Sequence, residues 1–180
     1  LLVVSGDLGA AYLGLQVLAR EKQVFEANPK MQPDLDNKDY ILERQLKPEA
    51  RLDIIDLLKA HNIKPTAMID VSDGLSSELL HICKQSEVGC AVYEEKLPID
   101  FATMNVAEEF KISAATCALN GGEDYELLFS IQQSDYDKIK DNPDLTVIGH
   151  VMDKGSGASF IDRDGTHQPL VAQGWNALNV

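Results

Sequence analysis

The chain has 180 residues, 44% of them hydrophobic, which suffices for one domain with a sizeable core. Its formal net charge of −13 argues against direct binding to nucleic-acid phosphates or to anionic membranes, although a polyphosphate could bind through bridging metal ions. No apolar run approaches the roughly 20 residues that span a bilayer, and 3 cysteines without a Cys-x-x-Cys pair favour a reduced, cytoplasmic setting.

Strand and helix signals alternate along the chain. Short apolar runs predict strands at residues 1–4, 67–71, 90–93, 126–131, 145–151 and 159–161. Apolar residues at helical spacing predict helices over residues 8–22, from 39, over 48–62, from 75 to near 89, over 101–110 and over 134–140. This alternation indicates an α/β or α+β fold in a single domain over residues 1–180. The apolar start suggests a fragment of a longer protein.

An acidic turn follows the strand expected at residues 67–71. Asp70 and Asp73 lie three residues apart before a helix, with Ser72 between them and Gly74 behind them. Hard cations such as Mg²⁺ accept one or two carboxylates together with phosphate oxygens, and a helix start favours an anion. One interpretation is therefore a metal-bound phosphate site. The alternative is that Ser72 or Asp73 caps the helix and Asp70 is a turn residue.

A second acidic segment, residues 121–127, has the sequence GGEDYEL. Paired glycines allow left-handed backbone angles and let a ligand approach. Glu123 or Asp124 could then bind a cationic group or a metal, and the repulsion among three acids within four residues favours a cationic partner. The alternative is an ordinary loop before a strand.

Other features give weaker indications. The single tryptophan, Trp175, is either a core or tail anchor or stacks on a flat aromatic or cationic ligand. The glycine loop at residues 5–9 lacks the lysine of a P-loop, so strand-to-helix packing is its simplest role. No Ser-His-Asp or Cys-His arrangement stands out, so nothing indicates a covalent nucleophile.

Taken in order, these segments resemble the thiamine-monophosphate kinase family. The matching stretches are residues 4–9 with 14–15, Pro48 with Arg51, 68–75, 119–127, 148–149 and 174–175. The Ser-Asp-Gly-Leu turn occurs in related synthetases as well, whereas GGEDYEL is specific to the kinase. In one departure from the family pattern, Ala177-Leu178 replaces the usual His-Phe that follows the tryptophan.

The resemblance implies an activity and roles for particular residues. The family transfers a phosphoryl group from ATP to thiamine phosphate and forms thiamine diphosphate, with Mg²⁺ as cofactor. Asp70 and Asp73 would be magnesium ligands and Ser72 an ATP contact. Glu123 would contact the thiamine phosphate substrate, and Trp175 would stack against it.

The resemblance also implies a fold and an assembly. The fold is the C-terminal domain of the aminoimidazole-ribonucleotide synthetase superfamily, a mixed sheet with helices packed on one face. The family's N-terminal half supplies further aspartates, much of the ATP site and the central dimer interface, and nothing in this sequence matches it. We therefore expect a homodimer for the full-length enzyme and no kinase activity for this fragment alone.

Two other functions remain open at this point. One is an ATP-dependent synthetase of the same superfamily, of the selenophosphate or aminoimidazole-ribonucleotide type. The other is a non-catalytic module that binds a cationic ligand or a divalent metal. The kinase interpretation depends on the two acidic segments lying close together in space.

Overall fold

A computed structural model of the protein describes residues 1–172. The strands are β1 (Leu2–Ser5), β2 (Ala67–Asp70), β3 (Gly89–Tyr93), β4 (Leu127–Ser130), β5 (Leu145–Met152), β6 (Ala158–Ile161) and β7 (His167–Pro169). The helices are α1 (Ala10–Ala27), α2 (Asp39–Leu46), α3 (Leu52–Ala60), α4 (Leu75–Ser86), α5 (Phe101–Glu109) and α6 (Ala114–Asn120). Short 3-10 turns lie at Glu94–Lys96, Gln133–Lys138 and Lys154–Ser156.

The strands of the described part form one mixed sheet in the order β2-β4-β1-β5-β3-β6-β7. Neighbouring strands are antiparallel, except that β3 and β6 run parallel. The predicted α+β fold with a mixed sheet is confirmed.

Successive side chains along a strand point to opposite faces of the sheet. Apolar side chains therefore lie on both faces, and each face is covered by an apolar cluster. Leu2 and Val4 of β1 pack on the side of α4, together with Leu75 and Leu79. Val3 points to the opposite face, into a second cluster that α3 joins. Helices pack on one face of the sheet, as expected, and α3 adds a smaller contact on the second face.

A third apolar cluster joins the helices to one another. Leu13 and Val17 of α1 pack with Ile41 of α2, and Val106 of α5 completes the group. The sequence missed α6, a seven-residue helix. The α-helix expected at residues 134–140 is a 3-10 turn at Gln133–Lys138 instead.

The sheet topology brings three loops to one edge. β4 lies between β2 and β1 and runs antiparallel to both, so it begins where they end. Asp70 at the end of β2 pairs with Leu127 at the start of β4. The loops at residues 6–9, 71–74 and 121–126 therefore meet at this edge.

None of the helices in the described part of the chain has the length and apolar character needed to cross a bilayer.

Candidate functional site

The two acidic segments are joined by backbone hydrogen bonds. The N–H of Glu123 donates to the carbonyl oxygen of Ser72 at 2.7 Å, and the N–H of Tyr125 donates to that of Val71 at 2.9 Å. The N–H of Val71 in turn donates to the carbonyl oxygen of Glu126 at 2.7 Å. The proximity required by the kinase interpretation is therefore present.

Glycines permit this close approach. Gly122 has φ 72°, and a Cβ at this position would lie 2.5 Å from the carbonyl oxygen of Ser72. At Gly74, with φ 103°, a Cβ would lie 2.9 Å from the carbonyl oxygen of Leu119. These contacts are with protein, so the two glycines serve the packing of one segment on the other. Of the paired glycines, Gly122 uses the left-handed region, whereas Gly121 is helical at φ −73°.

The acidic turn presents its two carboxylates to solvent. Asp70 and Asp73 are exposed, and within residues 1–172 neither carboxylate makes a hydrogen bond or an ion pair. The alternative that Ser72 or Asp73 caps α4 is wrong, because the N-cap residue is Gly74 and neither of these two side chains makes a capping hydrogen bond to the helix. Removal of the capping role leaves both carboxylates available to a ligand.

A buried glutamate forms a hydrogen bond with the backbone of this turn. Glu78 in the first turn of α4 is 2% exposed, and its carboxylate accepts the N–H of Asp73 at 3.1 Å. Burial raises the pKa of Glu78. The sequence analysis missed this residue, although an acid in the first helical turn is a known signal of an interaction with the helix N-terminus.

The GGEDYEL segment alternates between buried and exposed residues. Asp124 is 3% exposed and Glu126 is 1% exposed, whereas Glu123 and Tyr125 are exposed. The Asp124 carboxylate accepts the N–H of Gly9 at 2.8 Å, at the start of α1. Burial raises the pKa of Asp124 to about 7.

Glu126 is the centre of a buried ion-pair network. Its Oε2 atom accepts hydrogen bonds from Ser5 Oγ at 2.5 Å and from Arg51 Nη1 at 2.5 Å. Arg44 Nη1 lies 3.0 Å from the other carboxylate oxygen, Oε1. Ser5 Oγ also accepts the N–H of Leu127 at 2.8 Å. This carboxylate is fully occupied by protein groups, so it holds the segment in place and is not free for a ligand.

Arg44 extends the network to the loop after β1. Its Nη2 atom donates to the carbonyl oxygens of Asp7 at 3.1 Å and Asp124 at 3.3 Å. The hydroxyl of Tyr40 donates to the Asp7 carboxylate. α2 thus connects the loop at residues 6–9 to the loop at residues 121–126.

Glu123 differs from its acidic neighbours because its carboxylate is exposed and, among residues 1–172, a single protein group contacts it. Gln45 Nε2 on α2 donates to Oε2 at 2.8 Å. Within the described residues, the Oε1 atom makes no hydrogen bond. A cationic ligand could therefore reach this side chain.

Comparison with known proteins identifies the family. The chain is 33% identical to a thiamine-monophosphate kinase from Buchnera aphidicola over 89% of its own length and 47% of that protein. It is also 33% identical to the thiamine-monophosphate kinase of Aquifex aeolicus, over 88% of this chain and 46% of that protein. This chain belongs to the thiamine-monophosphate kinase family. It spans about half the length of these relatives and corresponds to a C-terminal portion of them.

Solved structures agree with this assignment. The structure "AaThiL complexed with AMPPCP and TMP" superimposes with a TM-score of 0.78 at 29% identity, over 98% of this chain and 50% of that chain. Escherichia coli HypE, a hydrogenase maturation protein, superimposes with a TM-score of 0.67 at 18% identity, over 97% of this chain and 50% of that one. The second likeness shows the fold alone, the aminoimidazole-ribonucleotide synthetase-like fold. No family model matches the chain.

The donor groups of this thiamine-monophosphate kinase family member are compatible with magnesium held jointly with phosphate. Asp70 and Asp73 offer hard oxygen ligands that no protein cation neutralises in the described part of the chain. Among residues 1–172, no group of three or more histidine, cysteine, aspartate or glutamate side chains could hold a metal. Mg²⁺ typically keeps several waters and is bound through one or two carboxylates plus substrate phosphates, which is the arrangement that two carboxylates allow.

The site residues predicted from the sequence of this kinase family member fall into two groups. Asp70, Ser72, Asp73 and Glu123 come together at one edge of the sheet, whereas Trp175 lies outside the described residues. The sequence analysis missed the supporting side chains that fix this edge. These are Ser5, Arg44, Gln45, Glu78 and, in their structural roles, Arg51, Asp124 and Glu126.

Proposed function

We propose that this chain is the part of a thiamine-monophosphate kinase that carries the substrate and part of the metal site. The enzyme would transfer the γ-phosphoryl group of ATP to thiamine phosphate and form thiamine diphosphate. The observation that carries this proposal is the meeting of two segments whose exposed carboxylates have few or no partners among residues 1–172. Their buried neighbours are fully paired with the scaffold.

In this proposal the acidic turn binds the phosphate groups of ATP through Mg²⁺. Asp70 and Asp73 would hold Mg²⁺, which when bound neutralises phosphate charge, and the hydroxyl of Ser72 would contact ATP. Phosphoryl transfer requires mainly positioning and electrostatic stabilisation, so the absence of a covalent nucleophile from the proposed mechanism is consistent with this chemistry. The Asp73–Glu78 hydrogen bond fixes the backbone at Asp73, and the pairing of β2 with β4 fixes Asp70.

In the same proposal Glu123 binds the thiazolium ring of thiamine phosphate. The thiazolium ring of thiamine phosphate is cationic, and an exposed carboxylate with an open Oε1 atom is a suitable partner for it. Trp175 would stack on the same substrate. The AMPPCP in the related solved structure is an ATP analogue and its TMP corresponds to thiamine monophosphate in a kinase of this family, which supports both substrates here.

The whole reaction requires more than this chain in our proposal. Since the chain spans about half the length of its curated relatives, we propose that the 180 residues alone transfer no phosphoryl group. The full-length enzyme would act as a cytoplasmic homodimer.

Calorimetric titration with thiamine phosphate, with and without MgCl₂, tests the proposal. We expect saturable binding to the wild-type protein and roughly tenfold weaker binding to Glu123→Ala, equivalent to about 1.4 kcal/mol. Glu87→Ala is the matched control because Glu87 is also exposed and also has a positive φ, of 55°. It should bind as the wild type does.

Two results would contradict the proposal in different ways. Equal affinity of Glu123→Ala and the wild type would remove Glu123 from the site and leave the acidic turn untouched. Absence of saturable binding to both the chain and a full-length enzyme would remove the proposed function itself.

A further inference from the structure

Glu123 and Tyr125 share an unusual backbone conformation. Within residues 1–172, six residues other than glycine have positive φ, and these two have φ 60° and 52°. Asn62, Glu87 and Lys111 in the same set follow the ends of α3, α4 and α5, where a left-handed residue is routine. Glu123 and Tyr125 follow no helix end directly.

This conformation is held in place by the buried acids. A residue other than glycine is strained in this region and persists there where the surroundings over-determine it, most often at functional sites. Asp124 is fixed by the start of α1, and Glu126 is fixed by Ser5, Arg44 and Arg51. The anchors on both sides of Tyr125 thus force it into a conformation that a bulky residue seldom adopts.

The ring of Tyr125 has no evident structural role in the described part of the chain. Tyr125 is 38% exposed, and in the described part of the chain its ring and hydroxyl make no hydrogen bond, ring contact or cation–π contact. An aromatic ring exposed beside the proposed ligand residue Glu123, at a strained position, is suited to contact with a ligand. Aromatic faces attract cations within about 6 Å of the ring centroid.

We propose that Tyr125 is a further ligand-contacting residue, whose ring faces a cationic heteroaromatic ring beside the carboxylate of Glu123. The proposal rests on the proposed function, because the cationic ring is the thiazolium of thiamine phosphate. Glu123 supplies the opposite charge and Tyr125 supplies a flat face. Together they favour a positively charged ring over a neutral ring of the same shape.

The test compares two probes with the same set of variants. One probe is thiamine monophosphate, and the other is its analogue in which carbon replaces the thiazolium nitrogen, so that the ring is neutral. Tyr125→Leu should bind the charged probe roughly 3- to 30-fold more weakly and the neutral probe less than about 2-fold more weakly than the wild type. Tyr125→Phe keeps the aromatic face and should retain wild-type affinity for both.

Tyr136→Leu is the matched control, since Tyr136 is 43% exposed and lies on the 3-10 turn at Gln133–Lys138. It should bind both probes as the wild type does. Urea unfolding midpoints check that each variant is folded. If Tyr125→Leu lowers the midpoint, Tyr125→Gln serves as the non-aromatic variant.

The possible outcomes separate this inference from the proposed function. Wild-type affinity of Tyr125→Leu, together with weaker binding by Glu123→Ala, would overturn the contact at Tyr125 and leave the proposed function intact. Equal losses for the charged and neutral probes would also overturn it, because the ring would then not recognise charge. Absence of saturable thiamine monophosphate binding by both the wild-type chain and a full-length enzyme would overturn both.

Discussion

The acidic turn at residues 70–74 and the segment at residues 121–126 use carboxylates in opposite ways. In the turn, Asp70 and Asp73 are exposed and have no protein partner among residues 1–172. In the segment, Asp124 and Glu126 are buried and are satisfied by backbone N–H groups, a serine hydroxyl and two arginines. Acids of the first kind are available to a ligand, and acids of the second kind build the scaffold that presents Glu123.

This difference shows that an acid-rich motif need not be a binding motif throughout. Burial of a carboxylate costs several kcal/mol unless hydrogen bonds and opposite charges compensate for it. The compensating partners identify Asp124 and Glu126 as structural. Substitutions in the two regions should therefore separate stability from binding.

The largest loss of stability is expected from Glu126→Ala. It leaves Arg44 without its ion-pair partner and Arg51 paired with Asp53 alone, and breaking a buried ion pair in this way costs about 3–5 kcal/mol. Urea unfolding followed by circular dichroism measures it. Glu49→Ala, an exposed glutamate near the same arginines, is the control and should change stability by less than about 0.5 kcal/mol. A similarly small effect of Glu126→Ala would show that the network is not structural.

A smaller and pH-dependent effect is expected from Asp124→Asn. The folded-state pKa of Asp124 is about 7, above its ordinary value of 3.8, so the folded protein holds this proton more tightly. The stabilisation from this group is complete below the lower value and is lost as the pH rises through about 7. Wild-type stability should therefore fall more steeply than that of Asp124→Asn between about pH 4 and about pH 8.

Unfolding free energies across this pH range measure the contrast. Asp56→Asn is the control, because the Asp56 side chain is 78% exposed, and it should follow the wild-type curve. Parallel curves for the wild type and Asp124→Asn would contradict the assignment of this proton to Asp124.

Glu123→Gly should increase stability. Glycine adopts a φ of 60° without strain, and release of this strain should raise the free energy of unfolding by roughly 0.5–1 kcal/mol. Thiamine phosphate binding should weaken in the same variant. Glu87→Gly relieves a similar φ of 55° away from the site and should gain stability while keeping its affinity. A loss of stability in Glu123→Gly would mean that its conformation is not strained.

The smallest effect on stability is expected from Asp73→Asn. The side chain is exposed and unpaired within the described residues, so the free energy of unfolding should change by less than about 0.5 kcal/mol. If the proposed metal site is correct, MgCl₂ and ATP together stabilise the wild type, and this stabilisation should be smaller in the variant. Thermal unfolding with and without the two ligands tests both statements, and undiminished stabilisation would remove Asp73 from the metal site.

Much of the fold could be predicted from local sequence pattern. The six predicted strands were found because apolar residues dominate each short run. α6 was missed because its sequence, AATCALN, is short and shows no polar–apolar period. The mixed sheet followed from the family resemblance and not from periodicity.

The candidate site could likewise be predicted only in part. The acids themselves could be located, since glycine beside carboxylate is a local signal. Their separation into exposed and buried residues could not, because it depends on partners such as Arg51, which is 75 residues from Glu126. Local pattern contains no information about which distant arginine reaches which acid.

The central place of β4 between β1 and β2 has a consequence for biosynthesis. β1 and β2 are not neighbours, so β4 must insert between them, and the Ser5–Glu126 hydrogen bond spans 121 residues of sequence. As the chain leaves the ribosome, both edges of β1 and of β2 stay unpaired until β4 emerges, because β5, the other neighbour of β1, follows β4 in the sequence. Such edges are templates for pairing with other chains. A nascent chain of this protein is therefore most vulnerable to aggregation, and most dependent on chaperones, in the interval before β4 is made.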